Sequence, residues 1–257
     1  MAFKQDKFRS IGALLEKLGS VYKNKSAVWF RGQAVAKWKL QPSIMRPPYS
    51  SDDEVVLLKK FKQNAVPLID VVPTGEAEWL FLMQHHSVPT RLLDWTESPL
   101  VALYFAVAEA KDAKHRKKDA ALWCLYPHVL NELAGIRMQP AHDIPSFGHE
   151  EYLLDYLPSR TAGITTASKQ PVALIAPRPF RRLHVQQGVF TLFHRNLTPL
   201  EELKDEKTGK QQHIVKFIIP AAAKPKLRQE LLLLQIDRLA LFPELENVAA
   251  RITINHK

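Results

Sequence analysis

Residues 84–106 read QHHSVPTRLLDWTESPLVALYFA, and they predict a helix end, a short apolar strand and a second helix in direct succession. Ser98 is a favourable N-cap for the second helix, and Pro99 suits its first turn because the missing N–H is not needed there. Polar side chains are unusually dense around the strand, which would otherwise be plain core. They are Gln84, His85, Thr90, Arg91 and Asp94.

Polar groups buried around a strand must find partners or take part in function, because leaving them unpaired costs free energy. Two interpretations of this stretch follow. The side chains form a functional site, or they form a structural network that locks two helices to the strand. The stretch alone favours neither.

The composition indicates a chain that can bury a sizeable core. It has 257 residues, of which 46% are apolar. Helical and strand-like patterns alternate along most of its length, which favours an α/β or α+β fold over an all-helical one. No linker divides the chain, so we expect a single domain over residues 1–257, with N-terminal helices over about 1–26 and an irregular insertion over about 137–170.

The charge balance points to a polyanionic partner. Lys and Arg number 36 against 26 Asp and Glu, a formal net charge of +10, which favours nucleic acid or an acidic protein without choosing between them. Cys124 has no internal disulfide partner and fits a small core residue in a reducing compartment. We find no signal peptide and no run of eighteen apolar residues, and therefore expect a cytoplasmic protein without membrane association.

Local patterns predict most other elements. Ser10 caps a helix over 11–18 that Gly19 and Ser20 end, and Ser51 to Glu54 form a capping box for the next helix. Further predicted elements are strands over 27–33, 120–126, 172–175, 181–193 and 213–219, helices over 127–133, 150–157 and 225–234, a last helix after Pro243, and a hairpin loop over 199–212.

Two positions on the predicted strands stand out. Arg31 lies near the end of an apolar strand, where a charged residue is paired, faces a cleft or lies in solvent at an edge; Gly32 beside it permits a close approach to the backbone. Gly188 interrupts another strand and makes Gln187 a second candidate site position. His85 and His86 are adjacent but lack a third ligand at metal-binding spacing, so we predict no metal site.

Four segments of the chain resemble the FRG-domain family, named for its Phe-Arg-Gly motif. They are residues 29–33 (WFRGQ), residues 84–86 (QHH) together with residues 89–96 (PTRLLDWT), residues 186–190 (QQGVF) and residues 241–245 (LFPEL). They occur in the family's order and span most of the chain. Ser87 stands where the family commonly has glycine. The family is widespread in bacteria and phages and its biochemical role is poorly defined.

A second set of residues is similar to the motifs of ADP-ribosyltransferases. These enzymes carry an arginine or histidine on a first core strand, a second strand with Ser, Thr or Tyr followed by an A-x-x-F-A helix, and a late strand with Glu or Gln. Arg31, residues 94–106 and Gln187 resemble them in the same order. The resemblance implies an α+β fold with a central split or mixed β-sheet flanked by helices.

The same resemblance implies a site that uses NAD as co-substrate. Its catalytic residues would be Arg31, Asp94, Thr96 and Gln187, and its cofactor-binding residues would be Arg31, Gln33, Gln84, His85, Thr90 and Arg91. Arginine can clamp a pyrophosphate through a bidentate contact, and an acceptor group near the ribose can stabilise the positive charge that develops as nicotinamide leaves. With glutamine at 187, either Asp94 supplies the negative charge or the domain only binds.

Two functions therefore compete at this point. One is an NAD-dependent ADP-ribosyltransferase, a toxin or anti-phage defence protein that modifies nucleic acid or protein and is paired with an antitoxin or regulatory protein. The other is a non-catalytic basic module that binds RNA, DNA or a protein, in which Arg31, Arg91 and Asp94 form a buried ion-pair network. A nuclease lacks a convincing set of metal-binding carboxylates.

Overall fold

The computed structural model describes residues 6–23, 27–108, 113–162, 168–178, 181–205 and 208–255. These residues include the strands β1 (Asp6–Lys7), β2 (Trp29–Gln33), β3 (Leu92–Thr96), β4 (Ala120–Leu125), β5 (Val172–Leu174), β6 (Gly188–Leu192) and β7 (Ile214–Ile219). They also include the helices α1 (Ile11–Tyr22), α2 (Asp53–Ala65), α3 (Glu76–His85), α4 (Pro99–Val107), α5 (Ala113–Arg116), α6 (Pro127–Leu133), α7 (Pro158–Thr161), α8 (Arg181–Val185), α9 (Lys224–Leu233), α10 (Arg238–Leu241) and α11 (Leu245–Asn255). Short 3₁₀ turns cover Ser43–Met45, Val66–Leu68, Glu151–Tyr156, Leu200–Glu202 and Ala221–Ala223.

The strands form one mixed sheet in the order β1-β7-β4-β2-β3-β6-β5. β1 pairs with β7 in parallel, and the other neighbours are antiparallel. The predicted α+β class with a mixed sheet flanked by helices is confirmed. The sheet is also split at its centre: β2 pairs with β4 along its whole length but meets β3 only where Phe30 lies opposite Thr96.

The alternation of side chains along β2 divides the core between the two faces of the sheet. Val28 and Phe30 pack with α1, α4 and α9 on one face, whereas Trp29 packs with Trp123 on the other. Every residue of β4 is buried, as expected for a central strand covered on both sides. β2 and β3 are therefore fixed by independent neighbours on either side of the split.

Several predicted boundaries are correct. Ser98 accepts a hydrogen bond from the Val101 N–H and caps α4, which begins at Pro99. Ser10 likewise caps α1 through the Ala13 N–H. The end predicted for that first helix is wrong, because α1 continues through Gly19 and Ser20 to bury Val21 beside Leu18.

The region before β6 corrects a second prediction. Residues 181–193 do not form one interrupted strand, since Arg181–Val185 is the helix α8 and the strand starts only at Gly188. The segment 199–212 is not a hairpin loop either, because β6 and β7 lie apart in the sheet. The helix predicted over 150–157 is the 3₁₀ helix Glu151–Tyr156.

The capping box predicted at the start of α2 is also wrong. The Asp53 carboxylate accepts hydrogen bonds from the Ser50 N–H and hydroxyl, at 2.8 and 2.9 Å. Glu54 is fully buried and pairs with Arg91 instead. A local capping pattern thus concealed a long-range ion pair. Among the described helices, none has the length and apolar character needed to cross a membrane.

Candidate active-site cleft

The split between β2 and β3 opens into a cleft of about 500 Å³. This size lies in the range of roughly 300–1,000 Å³ that is typical of small-molecule sites. Aromatic side chains line part of it, and its polar lining comes from the two strands, from the loop before α2, from α3 and from the segment before β6. The polar lining residues are Arg31, Gln33, Ser43, Arg46, Gln84, His85, Ser87, Asp94, Thr96, Arg182 and Gln186.

Arg31 and Asp94 face each other across this split. The Arg31 Nη1 donates to the main-chain oxygen of Asp94 at 2.5 Å and lies 3.9 Å from its carboxylate Oδ2. Because β2 and β3 do not pair at this position, the side chain of Arg31 supplies a hydrogen bond to the main-chain oxygen of Asp94. The Asp94 side chain is 57% exposed and the Arg31 side chain 21%, so both remain accessible from the cleft.

The carboxylate of Asp94 is oriented by a short chain of hydrogen bonds. The Leu92 N–H donates to the Thr90 hydroxyl at 3.2 Å, and that hydroxyl donates to Gln84 Oε1 at 2.5 Å. The Gln84 Nε2 then donates to Asp94 Oδ2 at 2.7 Å. Because the Thr90 contact fixes which end of the amide faces the strand, Gln84 presents a donor to Asp94. Only Oδ2 is engaged by these bonds, and Oδ1 is left for other contacts.

Positive charge accumulates around this carboxylate. Burial lowers the pKa of Arg31, Asp94 opposes this shift, and the nearby Arg46 adds to it; burial also lowers the pKa of Arg46. Both guanidinium groups stay charged, since arginine does not deprotonate in proteins. Burial, His86 and Arg182 lower the pKa of His85, which favours its neutral imidazole near pH 7. The cleft is therefore suited to an anionic ligand.

Two glycines in the quoted segments serve packing. A Cβ on Gly32 would lie 1.8 Å from the Ala102 oxygen and 2.6 Å from the Ala106 nitrogen, both main-chain atoms of α4. A Cβ on Gly188 would lie 2.1 Å from Leu183 Cδ1 in α8. The close approach that the sequence predicted at each glycine is made by a helix.

Some predicted site residues lie in the scaffold. Arg91 is 1% exposed, and its Nε donates to Glu54 Oε2 at 2.6 Å, so the prediction that it lines a ligand site is corrected. Thr90 is fully buried and does not line the cleft; it acts on Gln84. Gln187 is exposed and also lies outside the lining, because its φ of 47° places it in a tight turn between α8 and β6.

Thr96 and Gln33, two other predicted site residues, line the cleft, but their polar groups are already hydrogen-bonded to the protein. The Thr96 hydroxyl donates to the Gln186 oxygen at 2.6 Å and accepts from the Ser98 N–H at 3.0 Å. Gln33 accepts from Trp123 Nε1 at 2.8 Å through its Oε1 and donates to the Lys39 oxygen. Both side chains hold the walls of the cleft together.

The left-handed φ of 61° at Ser87 explains a preference for glycine there.

Two residues that were not among the predicted catalytic or cofactor-binding residues complete the walls. Arg182 and Gln186 come from the segment expected to be a strand, and Gln186 Nε2 donates to the Leu241 oxygen at 2.9 Å. Residues 241–245 form the last of the four motif segments, and their Leu241 and Phe242 contact residues that line the cleft.

No described group of three His, Cys, Asp or Glu side chains is arranged to hold a metal ion. The absence of a metal site stays a prediction. The arrangement supports recognition of an anion by guanidinium groups beside a single oriented carboxylate.

The comparison with protein families identifies the class of the domain around this cleft. Residues 26–115 match the model of the FRG domain family, so the chain carries an FRG domain over this range, as its motifs predicted. The match includes β2, β3 and α4. That the domain extends over the whole of 1–257 stays a prediction. No curated protein and no solved structure matches the chain.

Proposed function

We propose that the cleft binds NAD and that the protein transfers ADP-ribose from it to nucleic acid or protein. The observation that carries the proposal is the pair across the split: a guanidinium, Arg31, beside an exposed carboxylate, Asp94, which Gln84 orients. A positively charged cleft of about 500 Å³ suits a ligand that carries phosphates and aromatic rings.

In the proposed reaction, Arg31 binds the pyrophosphate of NAD through charge-assisted hydrogen bonds. The bond between the ribose C1′ and the nicotinamide nitrogen breaks, and nicotinamide leaves with the electron pair. Asp94 stabilises the positive charge that develops on the ribose. The acceptor nucleophile then bonds to C1′ and gives its proton to Asp94 or to water. Gln187 has no part in this scheme, because it lies outside the cleft.

In the cell, the protein would act as a cytoplasmic toxin or anti-phage defence protein with an antitoxin or regulatory partner. It is supported by the resemblance of the motif segments and by the single buried cysteine, Cys124. The net charge of +10 supports nucleic acid as the acceptor.

Nicotinamide release from NAD by the purified protein tests the proposal. Asp94→Asn keeps an oxygen for the Gln84 amide and removes the charge, so release should fall by about 100-fold or more. The matched control is Asp70→Asn at an exposed position away from the cleft, which should release nicotinamide as the unmodified protein does. A protein that releases no nicotinamide with any RNA, DNA or protein acceptor overturns the transferase.

A non-catalytic module that binds a polyanion is the second candidate, favoured by the arginine-rich cleft and the net charge. If it contacts ~6 phosphates, RNA affinity should fall by roughly three orders of magnitude between 50 and 200 mM salt. The basic residues expected to contribute are 111–118, 178–184 and 204–210. Within these runs, residues 111–112, 179–180 and 206–207 lie outside the part of the chain that the structure describes. RNA binding that is absent, or insensitive to salt, removes this candidate.

A further inference from the structure

Arg182 lies on the wall of the cleft, where its guanidinium contacts the ring of Phe242. Its guanidinium carbon is 4.6 Å from the centroid of the Phe242 ring. The same ring makes an edge contact with Phe105, another lining residue, at 6.0 Å between centroids. A cation over an aromatic face is attracted by the ring and loses little conformational freedom when a ligand binds. Phe242 therefore limits where the Arg182 guanidinium can lie.

The main chain beneath this stack is held at two points. The Leu241 oxygen accepts from Gln186 Nε2 at 2.9 Å, and the Phe242 oxygen accepts from Asn247 Nδ2 at 2.8 Å. Arg238 contributes a second cation, 5.9 Å from the Phe242 centroid, and its Nε donates to Asn247 Oδ1. Hydrogen bonds from Gln186, before Phe242 in the chain, and from Asn247, after it, thus hold the main chain that carries the ring. The ring in turn limits the position of Arg182.

A guanidinium carries several N–H donors, and those that do not face the ring can still bind an anion. Within the described part of the chain, Arg182 forms no ion pair with an acidic residue, whereas Arg31 lies beside Asp94. The two arginines come from different elements, α8 and β2, and line one cleft. A ligand with two linked phosphates can give each guanidinium its own set of oxygens.

We propose that Arg182, positioned by Phe242, is a second phosphate-binding residue of the cleft and makes it select diphosphates over monophosphates. This inference rests on the proposed function for its ligand class. It adds a specificity-determining residue, Arg182, and a positioning residue, Phe242, outside residues 26–115.

Calorimetric binding of ADP and AMP to the full chain tests the proposal without using turnover. The unmodified protein should bind ADP at least about tenfold more tightly than AMP. Arg182→Ala should weaken ADP by about 10–100-fold, the range for a hydrogen bond to a charged group, and change AMP much less. Arg182→Lys should recover only part, because a lysine keeps the charge without the planar fork. Arg160→Ala, at an exposed arginine outside both the cleft lining and the basic runs, is the control.

The role of Phe242 is tested by a double-mutant cycle. Made alone, Phe242→Leu should reduce the ratio of ADP affinity to AMP affinity. Added to Arg182→Ala, it should not change this ratio, because the ring acts through the arginine. A purely structural defect would weaken both nucleotides together. An unchanged preference in Arg182→Ala, or an unmodified protein that binds ADP no better than AMP at millimolar concentrations, overturns the inference.

The two proposals fail separately. ADP selectivity that depends on Arg182 without nicotinamide release removes the transferase and keeps the diphosphate site. If the protein releases nicotinamide but Arg182→Ala leaves the preference for ADP over AMP unchanged, the transferase is kept and the role of Arg182 is removed.

Discussion

Arg31 and Arg91 both belong to the motif segments and both lie at strands in the middle of the sheet, yet their surroundings are opposite. Arg31 lies where β2 leaves β3, and 21% of its side chain is exposed beside Asp94. Arg91 lies just before β3, is 1% exposed and pairs with the fully buried Glu54. The predicted network of Arg31, Arg91 and Asp94 is therefore two separate arrangements. Of these two arginines, the one at the opening of the sheet lines the cleft, and the other belongs to the scaffold.

The buried pair joins three parts of the scaffold behind the cleft. The Arg91 main-chain N–H donates to Glu54 Oε1 at 2.7 Å, and its Nη1 donates to the Tyr156 oxygen at 2.6 Å. α2, β3 and the 3₁₀ helix Glu151–Tyr156 thus meet at one guanidinium. Buried charges are costly to separate, because the remaining partner has neither water nor a counter-ion.

The largest effect should come from this scaffold pair. Arg91→Ala should lower the free energy of unfolding by about 3–5 kcal/mol, because Glu54 is left buried and uncompensated. Urea denaturation followed by circular dichroism measures the change. Arg9→Ala, at an exposed surface arginine, is the control and should leave the midpoint nearly unchanged. An equally small effect of Arg91→Ala would remove the distinction between the two arginines.

A smaller loss of stability should follow from Gly32→Ala at the cleft. The added Cβ meets main-chain atoms of α4, so β2 or α4 must shift, at a cost of about 1–3 kcal/mol. Gly12→Ala is the matched control: a Cβ there meets nothing within 4 Å, and alanine in a helix should stabilise by roughly 0.5–1 kcal/mol. The same urea titrations compare them. If both variants were stabilised, the close contact between β2 and α4 would be disproved.

Arg31→Ala should separate function from folding. Its guanidinium is partly exposed and makes one main-chain hydrogen bond, so unfolding should change by less than about 1.5 kcal/mol. Nicotinamide release should fall by roughly 100-fold or more, because a charge-assisted contact to the pyrophosphate is lost. Thermal unfolding and turnover are measured on the same samples. Activity lost only together with folding would return Arg31 to the scaffold.

The smallest difference should appear as a pH dependence of stability. Burial lowers the pKa of His194 and of His85; Arg91 adds to the shift at His194, and Arg182 adds to it at His85. A histidine whose folded pKa is lowered binds its proton more readily when unfolded. Its stabilising contribution is therefore complete above the unfolded pKa of about 6.5 and is lost as the pH falls through the folded value.

His194 is 5% exposed, whereas His85 is only half-buried. His194→Gln should therefore flatten the loss of stability between pH 7 and pH 5 more than His85→Gln does. Urea midpoints at several pH values report the two slopes. If His85→Gln flattened the pH dependence more than His194→Gln, the histidine in the cleft would have the larger lowering of its pKa.

Much of the cleft was predictable because its signals are local. The cap at Ser98, the proline at 99 and the apolar run before them determine α3, β3 and α4, and with them the positions of Gln84, His85 and Asp94. Arg31 was predictable from its place on a short strand. Glu54 was not, because a glutamate three residues after Ser51 has the spacing of a capping box whatever it contacts.

The segment from 181 to 193 shows why the remaining predictions failed. β-branched and aromatic residues favour a strand from Val189 onward, whereas residues 181–187 contain only Val185 of these types. They form the helix α8 and a turn instead, and Leu183 of this helix packs where a Cβ on Gly188 would lie. That change moves Gln187 out of the cleft and brings Arg182 and Gln186 into it. Strand propensity depends on neighbours, and these neighbours are close only after folding.

The sequence by itself determined the FRG segments, the helix-strand-helix unit of residues 84–106 and the excess of positive charge, because each depends on residue type and spacing over a few turns of chain. Its patterns left α/β and α+β open, and α+β was implied only by the resemblance to ADP-ribosyltransferases. Only the tertiary structure decided that β2 and β3 diverge after Phe30, that Arg91 pairs with Glu54 and that Phe242 stacks on Arg182. These contacts join residues that are 37 to 66 positions apart in the chain. No periodicity encodes such distances, since they follow from how the sheet and helices pack.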